Sequence, residues 1–385
     1  MVRFTSLSKP VQGFIYLVTV VGFLASSTCS AQVFQSFFLT FPQIQFSNIA
    51  GAAAFKSSSS AANNDILIVG YPGEGNGAGC IIAYDTETGA PLFTPTSNPA
   101  PVQKDGIPGS GENFGAQIKK AGDNNVLLSA PDGLNPRVAL FNVMDIVNNG
   151  QQSTPLQVYQ KQTTGNSEFG TSLAYLGVIN GLSHYAISDP RVGEVYIFTE
   201  ASPTPIRTLT ITNGSALEFG QDIESADLNN DGISDLAVGV PQLLDTNNSP
   251  RGGVLIYSGA DIISSASSIP IQATIRALQP TVDARAGEAI ALGDVTGDDK
   301  ADLVIGSPGF TDPNLSGNEH GGFFVAQNTG STNQFAFSSD DFRQGKVDNG
   351  RLGQDVEITG DPYIYVDPNP ANNVDAAGLL SLIHI

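Results

Sequence analysis

The sequence predicts an all-β protein, a β-propeller of four-stranded blades, on three observations. With 42 glycines and 23 prolines in 385 residues and few long periodic stretches, the chain reads as many short elements joined by turns. A three-residue signature ending in proline recurs about every 60 residues. Between recurrences, short apolar runs bounded by turn residues read as about four strands per unit. Sheets repeated radially bury their faces between neighbours and leave only short edges. Two stacked β-sandwiches, the alternative, would need no common phase across the units.

From the N-terminus, Arg3 and Lys9 precede the apolar run GFIYLVTVVGFLA (Gly13 to Ala25) and the small-residue stretch SSTCSA ending at Ala31. That order predicts a secretory signal over 1–31, cut after Ala31, and a propeller over 32–385. The apolar run is shorter than the roughly 20 residues a membrane-spanning helix needs, and no second run is long enough. The mature chain is therefore expected to be secreted, without a membrane span. Cys29 leaves with the signal, and Cys80, in the strand-like GAGCIIAYD, remains as a small core residue with no disulfide partner.

Along the mature chain the triplets are GYP at Gly70, SAP at Ser129, SDP at Ser188, GVP at Gly239, GSP at Gly306 and VDP at Val366. Each unit opens on a pair ending in glycine: FG at Phe114, Phe169 and Phe219, AG at Ala286 and LG at Leu352. In the first unit only GAAAF (Gly51 to Phe55) is available, and it fits poorly. The phenylalanines are expected to fill the gaps between adjacent blades, and the glycines to let backbones approach closely. Proline, which has no N–H, suits a strand end. After each triplet comes a third strand, as in GEVYIFTE (Gly193 to Glu200), GGVLIYSG (Gly252 to Gly259) and GGFFVAQ (Gly321 to Gln327).

Two units carry acidic loops in phase. Asp227, Asp235 and Gly239 lie seven, fifteen and nineteen residues after Gly220; Asp294, Asp302 and Gly306 lie at the same offsets from Gly287. Calcium takes six to eight oxygen ligands at about 2.3–2.6 Å, and alternate positions of a tight loop can converge on one point. The first site is predicted from Asp227, Asn229, Asp231, the carbonyl of Ile233, and Asp235, with Gly232 allowing the turn. The second is predicted from Asp294, Thr296, Asp298, the carbonyl of Lys300, and Asp302. Threonine is a poorer ligand, and Asp299 replaces the turn glycine, so the second site is expected to bind calcium less tightly. The competing reading is an Asx-rich turn whose side chains cap their own backbone. Elsewhere the ligands are missing: only Asp123 and Asn125 fall near phase in the second unit, none in the third, and only Asp361 in the last.

Phe-Gly, acidic loop and Gly-x-Pro, in that order, resemble the FG-GAP repeats of the integrin α-subunit N-terminal propeller. The resemblance implies a seven-bladed, calcium-binding propeller engaged in adhesion or extracellular recognition. Six units are visible. The missing blade is assigned to a C-terminal portion absent from this chain, and the final SLIHI is read as foreign sequence. Val33 to Phe46 is expected to supply a closing strand.

A formal net charge of -20 excludes nucleic acid and anionic lipid as partners. Only three histidines are present, His184, His320 and His384, without metal-ligand spacing; no nucleophile elbow appears and there is no tryptophan. No enzyme activity is expected, the alternative being a secreted hydrolase built on the propeller. In an up-and-down blade the acidic loops share one end of the sheets. Loops such as 242–251 and 309–320 gather at the other, where an extracellular protein or glycan is expected to bind. Asn213, Asn247 and Asn314 stand in N-glycosylation sequons, Asn247 disfavoured by Pro250.

Overall fold

The structure, a computed structural model, describes residues 66–358 apart from 74–76, 86–89, 93–102, 107–110, 134, 162–166, 265–267, 277–282, 331–334 and 337–341. Outside that span it describes the backbone of five strands. The chain divides into two compact units, Met1–Gly165 and Asn166–Ile385.

In the first unit, β1 (Tyr16–Thr19) and β2 (Ser36–Leu39) pair with one another. The segment expected to close the repeats thus pairs with part of the expected signal; the cleavage position lies outside the described residues. The first four-stranded sheet is β3 (Gly51–Phe55), β4 (Ile66–Tyr71), β5 (Cys80–Asp85) and β6 (Gln103–Asp105). GAAAF is therefore a first strand rather than an opening pair, which accounts for its poor fit. The second sheet is β7 (Ile118–Lys120), β8 (Asn125–Ala130), β9 (Arg137–Asn142) and β10 (Gln157–Gln160). Helix α1 (Val143–Asn149) leads out of β9, where the Asn142 side chain caps it by accepting the Asp145 N–H.

The second unit repeats the pattern. Its sheets are β11 (Leu173–Ile179), β12 (Leu182–Asp189), β13 (Glu194–Thr199) and β14 (Ser202–Thr210), followed by β15 (Ile223–Ala226), β16 (Asp235–Gly239), β17 (Gly253–Tyr257) and β18 (Ala273–Arg276). Helix α2 (Gly259–Ile262) follows β17. Next come β19 (Ile290–Gly293), β20 (Asp302–Gly306) and β21 (Gly322–Asn328), with β22 (Phe335–Ala336) and β23 (Phe342–Gln344) both paired to β21. The last sheet is β24 (Asp355–Ile358), β25 (Tyr363–Asp367) and β26 (Ser381–His384). The final unit does have a third strand, built from the SLIH that was read as foreign, in register with Tyr363–Val366. All these ladders are antiparallel, and the first strands of successive sheets lie against one another within each unit. The fold class is the β-propeller that the repeats predict.

Local chemistry explains the periodicity. Every triplet ends a second strand, with its proline at or just beyond the last ladder position. The opening glycine of the same unit returns a bond to that point: Gly115 N–H to Ser129 O, Gly170 to Ser188, Gly220 to Gly239 and Gly287 to Gly306, at 2.8–3.0 Å. Gly287 illustrates why the residue must be glycine. Its φ is +88°, and a Cβ there would stand 2.3 Å from Gly253 O. The triplet glycine Gly239 is equally crowded, its hypothetical Cβ 2.1 Å from Gly287 O of the next unit.

Two of the opening phenylalanines fill inter-sheet gaps as expected. Phe114 belongs to a core shared by the first two sheets, and Phe219 to one shared by the third and fourth, where it meets Tyr257 edge-on at 6.3 Å. Phe169 is fully buried and edge-on to Tyr196 and Phe198. Cys80 is buried, and among the described residues no disulfide joins it.

Candidate functional site

The two acidic loops connect first to second strand, 227–234 between β15 and β16 and 294–301 between β19 and β20. In both, the second residue is a hydrophobic plug rather than a loop residue. Leu228 is buried with the side chains of the fifth sheet, and Val295 with those of the sixth. Burying the plug turns the flanking polar side chains outward, which fixes where the carboxylates can point.

The side chains then organise the loop through its own amides. Asp227 accepts N–H bonds from Asp231 at 3.2 Å and Gly232 at 2.8 Å; Asn229 accepts from Asp231 at 2.9 Å, and Asp231 from Ile233 at 2.8 Å. Asn230 and Gly232 take the left-handed φ values of +59° and +82° that this winding needs. Asp235 is fully buried and accepts Leu228 N–H at 3.1 Å and Gly259 N–H, beyond β17, at 2.9 Å. Burial pushes its carboxyl up to about 6; the two amide bonds oppose that, and the charges of Asp231 and Asp227 add to it.

The second loop follows the same plan with more internal bonds. Asp294 accepts from Gly297, Asp298 and Asp299 at 2.7–3.2 Å, and Asp298 from Lys300 N–H at 3.1 Å. Asp302, also buried, accepts Val295 N–H, Thr296 N–H and Thr296 Oγ1–H, all at 3.1 Å, and Asn328 N–H at 2.8 Å. Thr296, expected as a metal ligand, thus spends its hydroxyl on Asp302. The Lys300 ammonium pairs with Asp298, which holds that carboxyl below the usual carboxylate range and raises the lysine above its own.

The oxygen donors suit a hard divalent cation in kind: carboxylates, an amide oxygen and main-chain carbonyls at alternating positions. In arrangement the loops differ from the expected cage, because Asp227, Asp231, Asp294 and Asp298 face the loops' own N–H groups. Among the described residues, no three His, Cys, Asp or Glu side chains gather to hold a metal. The two loops differ in the counter-charges they supply. Among the described residues no Lys or Arg pairs with Asp227, Asp231 or Asp235, so the rise of Asp235, caused first by burial and increased by the charges of Asp231 and Asp227, is not offset by a cation.

Sequence reasoning missed Asn328. Its side-chain amide donates to Leu228 O in the first loop at 2.9 Å and to Ala301 O in the second at 3.2 Å, tying the two together. The only signal was a polar residue directly after the apolar third strand. In the other units the described acids have no such setting: Asp123 is an exposed turn residue near Lys120, and the β11–β12 connection is a tight turn at Asn180 and Gly181. Asp361 lies outside the described residues.

At the other end of the fourth and fifth sheets lie loops 242–251 and 309–320. The first is braced by Asp245, which accepts Asn247 N–H at 2.7 Å and Ser249 N–H at 2.9 Å and pairs with Arg251 at 2.6 Å. Beneath run linked ion pairs, Glu218 to Arg285 at 2.7 Å, Arg285 to Glu288, and Glu288 to Arg351 at 3.5 Å. Leu244, Leu315 and Val347 are exposed there.

These positions coincide with known repeats. The FG-GAP repeat family model matches residues 219–257 and 286–323, each running from an opening pair through an acidic loop into the third strand. The chain thus carries two segments that match FG-GAP repeats, and it resembles integrin α-subunits. Integrin alpha-3 of Cricetulus griseus is 26% identical over 136 residues, 35% of this chain and 12% of that protein. Phosphatidylinositol-glycan-specific phospholipase D of Homo sapiens is 34% identical over 90 residues, 23% of this chain and 10% of that protein. The matched segments thus span only about a tenth of those relatives' length. A structure assigned provisionally as a 6-phosphogluconolactonase, from Bacteroides uniformis, shares the fold at 13% identity and a TM-score of 0.52, covering 86% of this chain and 80% of that one. No helix among the described residues is long and apolar enough to cross a membrane.

Proposed function

We propose that the chain is a secreted recognition or adhesion module stabilised by calcium. Its partner, an extracellular protein or glycan, binds at loops 242–251 and 309–320, opposite the acidic loops. The observation that carries this reading is the in-phase pair of acidic loops inside the two segments matched as FG-GAP repeats, in a chain similar to integrin alpha-3. Asp227, Asn229, Asp231 and Asp235 would hold the tighter ion, with the Ile233 carbonyl. Asp294, Thr296, Asp298 and Asp302 would hold the weaker one, with the Lys300 carbonyl. An ion enclosed by protein oxygens has no open position for activating water, so its role is structural. Asn213 and Asn314, both exposed at the recognition end, are the favoured glycan acceptors.

The phospholipase D match favours one second reading, a secreted hydrolase that uses the propeller as scaffold. Binding of the full chain to immobilised matrix proteins and glycans, with and without calcium, separates the two. Calcium-dependent binding without turnover of esters, glycans or phosphodiesters supports recognition. Turnover of any of those substrates by the purified chain would reject it.

A further inference from the structure

Loop 309–320 is closed by a buried histidine whose two ring nitrogens are both committed. His320 is fully buried; its Nδ1 lies 3.1 Å from Asp312 N–H and its Nε2 3.2 Å from Ser316 O. A backbone amide can only donate and a carbonyl only accept, so Nδ1 carries no proton and Nε2 carries one. His184 is the opposite case. Its Nδ1 lies 2.9 Å from Leu182 O and must carry the proton. A second proton would go to Nδ1 in His320, setting N–H against the Asp312 N–H, whereas in His184 it would go to Nε2 and leave the Leu182 bond intact.

We propose that His320 is a pH-responsive clasp that holds loop 309–320 closed when neutral and releases it when protonated. The sign follows from linkage: the open loop binds the extra proton and the closed loop does not, so closure is favoured at higher pH and lost as pH falls. The charged groups around the clasp are already engaged. Asp312 lies in the loop, its carboxylate held by Asn314 N–H at 2.8 Å and, from β23, by the neutral Gln344 amide at 2.8 Å. Glu319 is paired to Arg351 at 3.5 Å, and Asp348 accepts Asn318 N–H at 2.8 Å. If the proposed recognition end is correct, this clasp would make partner binding weaken in acidified surroundings; that consequence, and not the clasp itself, rests on that reading.

The test is hydrogen exchange of the Asp312 amide in the full chain at about pH 7.5 and about pH 5.5, corrected for intrinsic rates. Protection is expected to fall by about tenfold or more at the lower pH in the wild type, and to stay level in His320→Gln, which keeps an acceptor but cannot titrate. Equal protection at both pH values in the wild type, or an equal loss in His320→Gln, overturns the clasp. Should His320→Gln fail to fold, imidazole nitrogen shifts of the wild type decide at neutral pH: a bare Nδ1 in His320 with a protonated Nδ1 in His184 supports it, and a protonated His320 Nδ1 refutes it. Pull-down of the bound partner at the two pH values then reads the consequence separately. Unchanged binding with a released loop counts against the recognition end alone.

Discussion

Loops 227–235 and 294–302 carry carboxylates at the same offsets, bury the same plug and cap the same strands, yet they balance their charge differently. In the second, Lys300 neutralises Asp298, and Thr296 adds its amide and hydroxyl to Asp302. In the first, Ile233 stands where Lys300 would be, no chain cation pairs with the acids among the described residues, and the buried Asp235 is pushed up to about 6. A repeat can thus keep its backbone while one substitution decides whether a lysine of the loop meets its charge.

The largest effect is expected at the buried carboxylates. Asp302→Ala strands four donors and Asp235→Ala two, so the first should cost more, about 3 kcal/mol or above, against about 2 kcal/mol, read by denaturant unfolding in chelator. Equal costs would break the asymmetry. Next comes the tie between the loops. Asn328→Ala removes bonds to Leu228 O and Ala301 O, and should cost about 1–2 kcal/mol. It should also weaken calcium binding at both sites, where a purely local role would touch only the second.

A pH effect of similar size sharpens the contrast. Asp235 has a folded value raised above its unfolded one, so its contribution is present at low pH and lost as pH rises through about 6. In chelator, Asp235→Asn should remove a pH-dependent destabilisation of up to about 3 kcal/mol between about pH 4 and pH 7. Calcium should stabilise the wild type most above that window. An unchanged stability profile in the variant would show that the raised carboxyl is not felt. The smallest effect is at the exposed acids: in chelator, Asp231→Ala and Asp298→Ala should each leave stability nearly unchanged. With calcium present, Asp231→Ala should lose more.

The repeat phase, the strand-ending triplets and the buried Phe219 were legible because each follows from a fixed backbone requirement: a glycine at φ near +90°, a proline past the last ladder bond, an aromatic in the inter-sheet gap. The turning of Asp227 and Asp294 onto their own amides is what the competing Asx-turn reading describes; spacing alone does not say whether an acid faces an ion or an N–H. The pairing of Lys300 with Asp298 was hidden because Lys300 was read for its carbonyl. Asn328 was missed because its partners lie 27 and 100 residues away, in loops that only the sheet stacking brings together.

Calorimetric titration of calcium into the chelator-stripped full chain tests the difference between the loops most directly. The account predicts two sites of unequal affinity, the tighter abolished by Asp231→Ala, and the weaker tightened about tenfold by Lys300→Ile. No calcium bound at millimolar concentration, or a tighter site that survives Asp231→Ala, would contradict it.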